Sequence, residues 1–277
     1  MLNPVRFLLL GGALTGVILA EELPMLSEKP WLGCFAGFES SSFDVAVGSD
    51  GETIIYHKNR GKRLSDIVAT KVRFILEEEV KGKWVKRKIQ EDGFATSQEP
   101  NPDADEVRFT ATYTGGTKVQ IDHEFSRGKV LLGVKVVEKT TENPVRAGVE
   151  TMVGDLFRNI ERDVPKDELE DVLDDKIQKT RLKLEPFEGS ARKYDLGDTM
   201  KEDEKAEFDE LVQKLKSVEL SSEKIGNNRI VWMTEDTGKG YLELRQTKPL
   251  YHGFYVVWRP LPGKEGEEGS RLEMEMK

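Results

Sequence analysis

The sequence predicts a mainly β fold: a large antiparallel β-sandwich of supersandwich-like size, with a charged, partly helical insertion around residues 155–216. Three observations predict it. Apolar and polar residues alternate through most of residues 31–154, which is the pattern of half-buried strands. Short segments rich in Gly, Asn and Asp separate the alternating runs, and strands joined by such turns lie antiparallel. The alternation returns after Gly226.

The clearest strands lie in the first block. Apolar residues of one phase occupy residues 43–47, 72–76, 107–113 and 119–125, and two consecutive glycines at 115–116 predict a tight turn between the last two. Residues 97–105 hold two prolines among polar side chains, which predicts a surface loop. We expect consecutive strands of this block to be neighbours in the sheet.

The middle of the chain has a different pattern. Residues 161–216 are highly charged, and their apolar period moves from two toward 3.6. Four apolar residues have the spacing i, i+3, i+4 and i+7: Phe208, Leu211, Val212 and Leu215. This spacing predicts an amphipathic helix across residues 202–216, with an apolar face suited to a protein partner. Residues 177–184 alternate again and predict a strand.

Two domain organisations fit this order of segments. The first is a single domain over residues 21–277 with a helical excursion at about 160–216, and the second is two small β domains with a helical connector. The single domain is favoured, because the last β block alone has only four or five strands and would enclose a thin core.

Residues 1–20 predict a secretory signal peptide. Arg6 precedes an uncharged run from Phe7 to Ala20, and acidic residues and Pro24 follow at once. The run is short for a permanent transmembrane helix, and retention as an N-terminal anchor is the alternative. We therefore expect an exported protein, periplasmic or extracellular, with no stable membrane span after cleavage. The single cysteine, Cys34, excludes an intrachain disulfide and favours a bacterial location.

The charge balance limits the partners. The formal net charge is −9, which argues against binding to nucleic acid and against general binding to anionic membranes. Within this acidic chain, residues 58–63 carry four positive charges and residues 81–88 carry five around a tryptophan. The predicted ligand-binding residues are Lys58, Arg60, Lys62, Arg63, Lys83, Trp84, Lys86 and Arg87.

These two basic segments predict a binding surface if they meet at one end of the sheet. Together they would form a cationic patch with an aromatic platform, and such a surface binds glycans or anionic polymers in a salt-sensitive way. The alternative is a solvated face balanced by nearby glutamates such as Glu77, Glu78 and Glu91. Trp84 is the tryptophan that we expect to be partly exposed.

No metal or other cofactor is expected. His123 occupies the apolar phase of its strand, whereas Asp122 and Glu124 point to the opposite face. His57 and His252 lie at strand ends, and no two histidines have metal-ligand spacing. Residues 101–112 begin like a calcium loop but lack the turn glycine and the final carboxylate.

The sequence contains none of the known motifs of enzymes that use a catalytic nucleophile. It therefore favours a protein that is not an enzyme, and it identifies no catalytic residue. A glycosidase-like pair of carboxylates stays open, with candidates near aromatic residues at Glu39, Asp44, Glu150 and Asp155.

The antiparallel meander of residues 30–155, with its break at Asn143 and Pro144, is loosely similar to galactose-mutarotase-like sandwiches. The resemblance implies a large sandwich and no activity, because no convincing His/Glu pair is present. We expect an exported, non-enzymatic protein that binds a glycan or an anionic polymer. The alternatives are a carbohydrate-active enzyme, hydrolase or lyase, with carboxylates assembled from distant strands, and an envelope structural or interaction module.

Overall fold

The computed structural model describes residues 18–20, 22–154, 156, 164–169, 171–172, 179–196, 214–226, 228–236, 238–245, 253–261 and 270–277. In chain order the strands of the first half are β1 (Ile18–Ala20), β2 (Cys34–Glu39), β3 (Phe43–Gly48), β4 (Thr53–Asn59), β5 (Lys62–Arg63), β6 (Thr70–Val80), β7 (Lys83–Arg87), β8 (Ile89–Thr96), β9 (Glu106–Tyr113), β10 (Lys118–Ser126), β11 (Lys129–Glu138) and β12 (Val145–Val153). Those of the second half are β13 (Arg181–Pro186), β14 (Arg192–Asp195), β15 (Leu215–Ser222), β16 (Asn228–Thr234), β17 (Gly240–Arg245), β18 (Phe254–Pro260) and β19 (Leu272–Met276). Short 3₁₀ turns occupy Asp66–Val68 and Glu223–Ile225.

The strands form one large, curled antiparallel sheet. Its order is β2-β3-β4-β6-β12-β18-β17-β15-β16-β19-β11-β10-β9-β8-β1, with β5 paired to β4, β7 to the second half of β6, β13 to β15 and β14 to β13. The loop between β8 and β9 joins the two regions of the sheet, because Gly37 of β2 donates to the carbonyl of Asn101 (3.0 Å) and Phe125 of β10 donates to that of Asp105 (2.7 Å). The sheet therefore curls around a common interior.

The mainly β, antiparallel prediction is confirmed, but a sandwich of two separate sheets is not, since the described strands are joined in one hydrogen-bonded order. The predicted helical insertion is not seen in the described part of residues 155–216, where 181–186, 192–195 and the start of β15 are strands. Lys214 has φ 57°, a left-handed conformation that a helix running on into Leu215 does not allow. Leu215 then pairs with Leu242 in the sheet. Residues 202–213 of the predicted helix lie outside the described residues, as do Asp155 and His252.

The N-terminal strand belongs to the segment predicted as a signal peptide. Ile18, Leu19 and Ala20 pair with Thr96, Ala95 and Phe94 of β8. Among the residues that the structure describes, no helix has the length and apolar character needed to cross a membrane.

One cluster of buried apolar side chains runs through the interior, from Leu23 to Met276. Phe74 of β6 meets Phe109 of β9 edge to face, with ring centroids 6.4 Å apart, and the Tyr113 hydroxyl donates to the Phe74 carbonyl at 2.9 Å. On the other side, Trp232 of β16 packs against Phe254 of β18. Side chains from strands far apart in the sheet order therefore share one core.

Two histidines lie inside this core. His123 is 3% exposed, as the alternation of β10 predicts, and its Nε2 is 2.9 Å from the Thr53 hydroxyl oxygen. His57 is 1% exposed and its Nε2 is 2.9 Å from the hydroxyl oxygen of Thr70. Burial lowers the pKa of each ring to about 4, because the interior disfavours the charged form.

These histidines make the fold less stable in acid. Each ring has a pKa of about 4 in the fold against about 6.5 in the unfolded chain, so below pH 6.5 the unfolded chain binds more protons. We expect urea unfolding to show stability falling between pH 6.5 and pH 4, by about 3 kcal/mol for each histidine. Titration of the ring protons by NMR checks the cause. A midpoint near pH 6.5 for either His57 or His123 would contradict it.

Candidate functional site

The two basic segments lie at opposite ends of β6. Ile55 of β4 pairs with Thr70 at the start of β6, so residues 58–63 extend beyond that end. Lys83 of β7 pairs with Val80 at the other end. The eleven residues of β6 span about 33 Å at about 3.3 Å per residue. The single patch that the sequence predicted is therefore wrong, because the order of the strands separates its two halves.

The β4–β5 hairpin, residues 58–63, uses its cations and aromatic faces internally. Lys58 and Arg63 each contact a carboxylate oxygen of Asp44 at 2.5 Å, and Asp44 is 3% exposed. The Arg63 guanidinium also lies over the rings of Trp31 and Tyr56, 5.0 and 4.6 Å from their centroids. These groups hold β3, β4 and β5 together and leave Arg60 and Lys62 as exposed cations of this hairpin that form no ion pair with a described residue.

The β6–β7 hairpin has the same turn but presents different side chains. Lys81 and Gly82 have φ 52° and 76°, and Arg60 and Gly61 of the other hairpin have φ 50° and 77°. Positive φ at both central residues is the geometry of a type I′ two-residue turn. Lys81 and Lys83 are exposed and form no ion pair with any residue that the structure describes.

Trp84 follows this turn and is 41% exposed, as expected, whereas the other three tryptophans are buried. It stands on β7, a strand whose pairing within the described sheet is to β6 alone. The guanidinium of Arg146, from β12, lies 4.2 Å from the centroid of the Trp84 ring. One cation–π contact therefore fixes the ring while much of it stays open to solvent.

Arg146 is itself held by a group of ionised side chains that we call the Glu77 cluster: Glu77, Arg146, Arg245, Arg259 and Glu243. Glu77 is 4% exposed and accepts hydrogen bonds from Arg146 Nε at 2.7 Å and from Arg259 Nη2 at 2.6 Å. Arg245 Nη1 lies 3.6 Å from the second oxygen of Glu77 and its Nη2 is 2.5 Å from Glu243. The cluster thus joins β6, β12, β17 and β18 on the outer face of the sheet.

A glycine makes room for this arrangement. A Cβ atom at Gly148 of β12 would lie 2.9 Å from Arg259 Nη1 and 2.8 Å from the carbonyl oxygen of Trp258. Arg259, on β18, therefore reaches Glu77, on β6, by crossing β12 at the one position without a side chain. Arg259 is 2% exposed.

Electrostatics keep Glu77 ionised. Burial alone would raise the pKa of Glu77, but Arg259, Arg146 and Arg245 outweigh it and hold that pKa below its ordinary value. A carboxyl group with a lowered pKa is a poor general acid near neutral pH. The cluster is therefore suited to positioning side chains rather than to proton transfer.

The hairpin and its surroundings carry an excess of positive charge. Six basic side chains, Lys81, Lys83, Lys86, Arg87, Lys88 and Arg146, stand against four carboxylates, Glu77, Glu78, Glu79 and Glu150. Lys86 contacts Glu150 at 2.7 Å and Arg87 contacts Glu78 at 2.6 Å, so these pairs anchor the base of the hairpin. Three of these cations, Lys81, Lys83 and Lys88, are exposed and form no ion pair with a described residue, and two of them, Lys81 and Lys83, precede Trp84 at the turn.

The structure therefore brings together four of the predicted residues, Lys83, Trp84, Lys86 and Arg87, and separates them from Lys58, Arg60, Lys62 and Arg63. Sequence reasoning missed Arg146, Arg245 and Arg259, which look like ordinary outward residues of three strands. Gly148 is the signal that was available, because a glycine inside a strand often marks a close approach by another group.

The carboxylates considered for catalysis do not converge here. Asp44 belongs to the β4–β5 hairpin and is paired with Lys58 and Arg63, and Glu150 is paired with Lys86. Glu39 is an exposed residue at the end of β2, and Asp155 lies outside the described residues. Cys34 is half-buried, and burial raises the pKa of its thiol, which disfavours the reactive thiolate.

Comparison of the chain with protein-family models and with the sequences of curated proteins gives no match.

The buried pair at the centre of the cluster should be sensitive to loss of one partner. Glu77→Gln leaves Arg259 buried without its carboxylate, and we expect it to lower the free energy of unfolding by about 3 kcal/mol. The matched control is Glu138→Gln, whose partner Lys118 forms an exposed pair and should cost less than about 1 kcal/mol. Urea unfolding of both variants measures the difference. Equal effects of the two substitutions would contradict a structural role for the Glu77–Arg259 pair.

Proposed function

We propose that the protein is a non-enzymatic binding protein for an anionic polysaccharide, and that the β6–β7 hairpin is its contact surface. One observation carries the proposal: an exposed indole, Trp84, is fixed by Arg146 directly after a turn whose lysines, Lys81 and Lys83, are exposed and form no ion pair within the described structure. An aromatic face packs against the apolar face of a sugar ring, and the lysines attract its carboxylate or sulfate groups.

The geometry favours a chain-like ligand. The strand β7 of the hairpin is exposed along four of its five residues, Lys83, Trp84, Val85 and Lys86. A small molecule is normally enclosed in a concave pocket, whereas a polymer can bind across a projecting surface by repeated weak contacts. The positive hairpin on a chain of net charge −9 also restricts where an anionic polymer can approach.

The rival functions have less support. A hydrolase needs a carboxyl group with a raised pKa, and Glu77, the most buried carboxylate near the hairpin, has a lowered one. Docking through the predicted helix of residues 202–216 depends on residues that the structure mostly does not describe. We also propose, from the sequence of residues 1–20, that the protein is exported to the periplasm or the cell exterior, where polysaccharides are available.

Binding to polygalacturonate across 20 to 300 mM NaCl tests the proposal, with neutral dextran as the uncharged comparison. We expect the protein to bind polygalacturonate and not dextran. Its affinity for polygalacturonate should fall as salt screens the lysines. In Lys81→Asn/Lys83→Gln, affinity should fall about thirtyfold at low salt, since each of the two lysines near an anionic surface contributes about 1 kcal/mol. Asparagine tolerates the positive φ of residue 81, so the turn should survive.

The other hairpin supplies a matched control. Arg60→Asn/Lys62→Gln removes two exposed cations from an identical turn about 33 Å away, at the far end of β6. This control should bind polygalacturonate within about twofold of the unmodified protein, because a local contact there is not expected. An equal loss in both variants would show that net charge alone governs binding, and the proposed site would be wrong.

A further inference from the structure

A second surface of the sheet carries two cavities that the sequence did not predict. They measure about 320 and 210 Å³ and share the side chains of Arg108, Asp122 and Arg271, so they form one continuous depression that we call the polar trough. It lies on the outer face of β9, β10, β11 and the start of β19, away from the β6–β7 hairpin. Pockets of a few hundred Å³ are the usual size of small-ligand sites.

The floor of the trough is a glycine. Gly133 of β11 pairs with Asp122 of β10, and a Cβ atom at Gly133 would lie 3.5 Å from Asp122 Cβ and 3.3 Å from Arg271 Cγ. Because residue 133 has no side chain, a notch opens between Asp122 on one side and Arg271 on the other.

The walls of the trough are fixed donors and acceptors. Arg108 Nε donates to Asp122, and Gln120 Nε2 donates to both oxygens of the same carboxylate at 3.1 and 2.9 Å. Across the notch, Arg271 holds Glu235 through two hydrogen bonds of 2.9 and 2.8 Å. Its third nitrogen, Nη1, donates to Glu124 at 2.7 Å. These bonds limit side-chain motion, so a ligand loses little additional entropy in ordering them.

The balance of charge indicates an uncharged ligand. Each arginine of the trough is already paired with a carboxylate, and Arg271 holds the pKa of Glu235 below its ordinary value. Lys135 and Glu106 also line the trough, and because their charges are opposite the trough carries no excess of positive charge for an anion. The Glu235 carboxyl group is no proton donor at neutral pH. What remains are the unused hydrogen-bonding positions of adjacent guanidinium and carboxylate groups.

We propose that the polar trough is a binding site for a neutral saccharide. A sugar hydroxyl is both a donor and an acceptor, so vicinal hydroxyls can donate to a carboxylate oxygen and accept from the neighbouring guanidinium. No Phe, Tyr or Trp is among the described residues that line the trough, and the His123 ring is buried in the core, so recognition there depends on hydrogen bonds. The site is independent of the β6–β7 hairpin and of anionic polymer binding.

Calorimetry on the full chain with neutral tetrasaccharides of glucose, galactose, mannose and N-acetylglucosamine tests this, at 50 and 500 mM NaCl. We expect at least one tetrasaccharide to bind with an affinity that changes less than twofold with salt, because the ligand has no charge to screen. Asp122→Asn should weaken that binding at least tenfold, since the substitution keeps the shape but replaces an acceptor that both Arg108 and Gln120 hold in place. Gly133→Val, which fills the notch, should abolish it.

The control is Asp195→Asn, which changes an equivalent cross-strand pair, Arg181 Nε to Asp195 Oδ1 at 2.8 Å, outside the trough. It should bind the tetrasaccharide like the unmodified protein, and so should Lys81→Asn/Lys83→Gln. Absence of binding to all four tetrasaccharides would overturn the proposal, as would equal affinities of Asp122→Asn and Asp195→Asn. Neither result bears on polygalacturonate binding at the hairpin, so the two proposals fail separately. If Gly133→Val does not fold, the comparison of Asp122→Asn with Asp195→Asn still tests the proposed site, because each of these substitutions keeps the shape of the side chain.

Discussion

The ion pair between Glu77 and Arg259 is the interaction on which the candidate site depends. Both side chains are almost fully buried although they stand on the outer face of the sheet, and their pairing offsets much of the cost of burying the two charges. Arg259 reaches Glu77 across Gly148, which ties β18 to β6 over β12. The second hydrogen bond to Glu77 comes from Arg146, and Arg146 in turn fixes Trp84. A buried electrostatic contact therefore determines the position of an exposed aromatic ring.

The two basic hairpins show how similar sequences acquire different roles. Both have a basic residue followed by glycine in a type I′ turn and a lysine after it. In the β4–β5 hairpin, the buried carboxylate of Asp44 and the rings of Trp31 and Tyr56 engage Lys58 and Arg63, so the local charge stabilises the fold. In the β6–β7 hairpin, ion pairs engage Lys86 and Arg87 at the base and leave the tip exposed. Pairing, rather than the number of charges, separates a structural segment from a candidate binding surface.

Much of the fold could be predicted from alternation, which places Val107, Ile121 and His123 in the core and Asp122 on the outer face. The exposure of Trp84 could also be predicted, because it follows a turn among lysines. The strand at Leu215 could not, since its apolar spacing fits a helix and the left-handed backbone of Lys214 is invisible in the sequence. The Glu77 cluster could not be predicted either, because it joins strands that lie far apart along the chain. Nor could the polar trough, because Arg271 and Glu235 come to β10 and β11 from a distant part of the chain.

The binding surface can be tested directly by NMR, by recording the indole N–H signals of the four tryptophans while an oligogalacturonate is added. Trp31, Trp232 and Trp258 are buried and Trp84 is exposed, so each signal reports a different environment. We expect the Trp84 signal to move with saturation and the other three to stay in place. Arg146→Gln, which removes the cation held over the ring, should reduce the shift. A Trp84 signal that does not respond to the oligosaccharide would contradict the assignment of this hairpin as the binding surface.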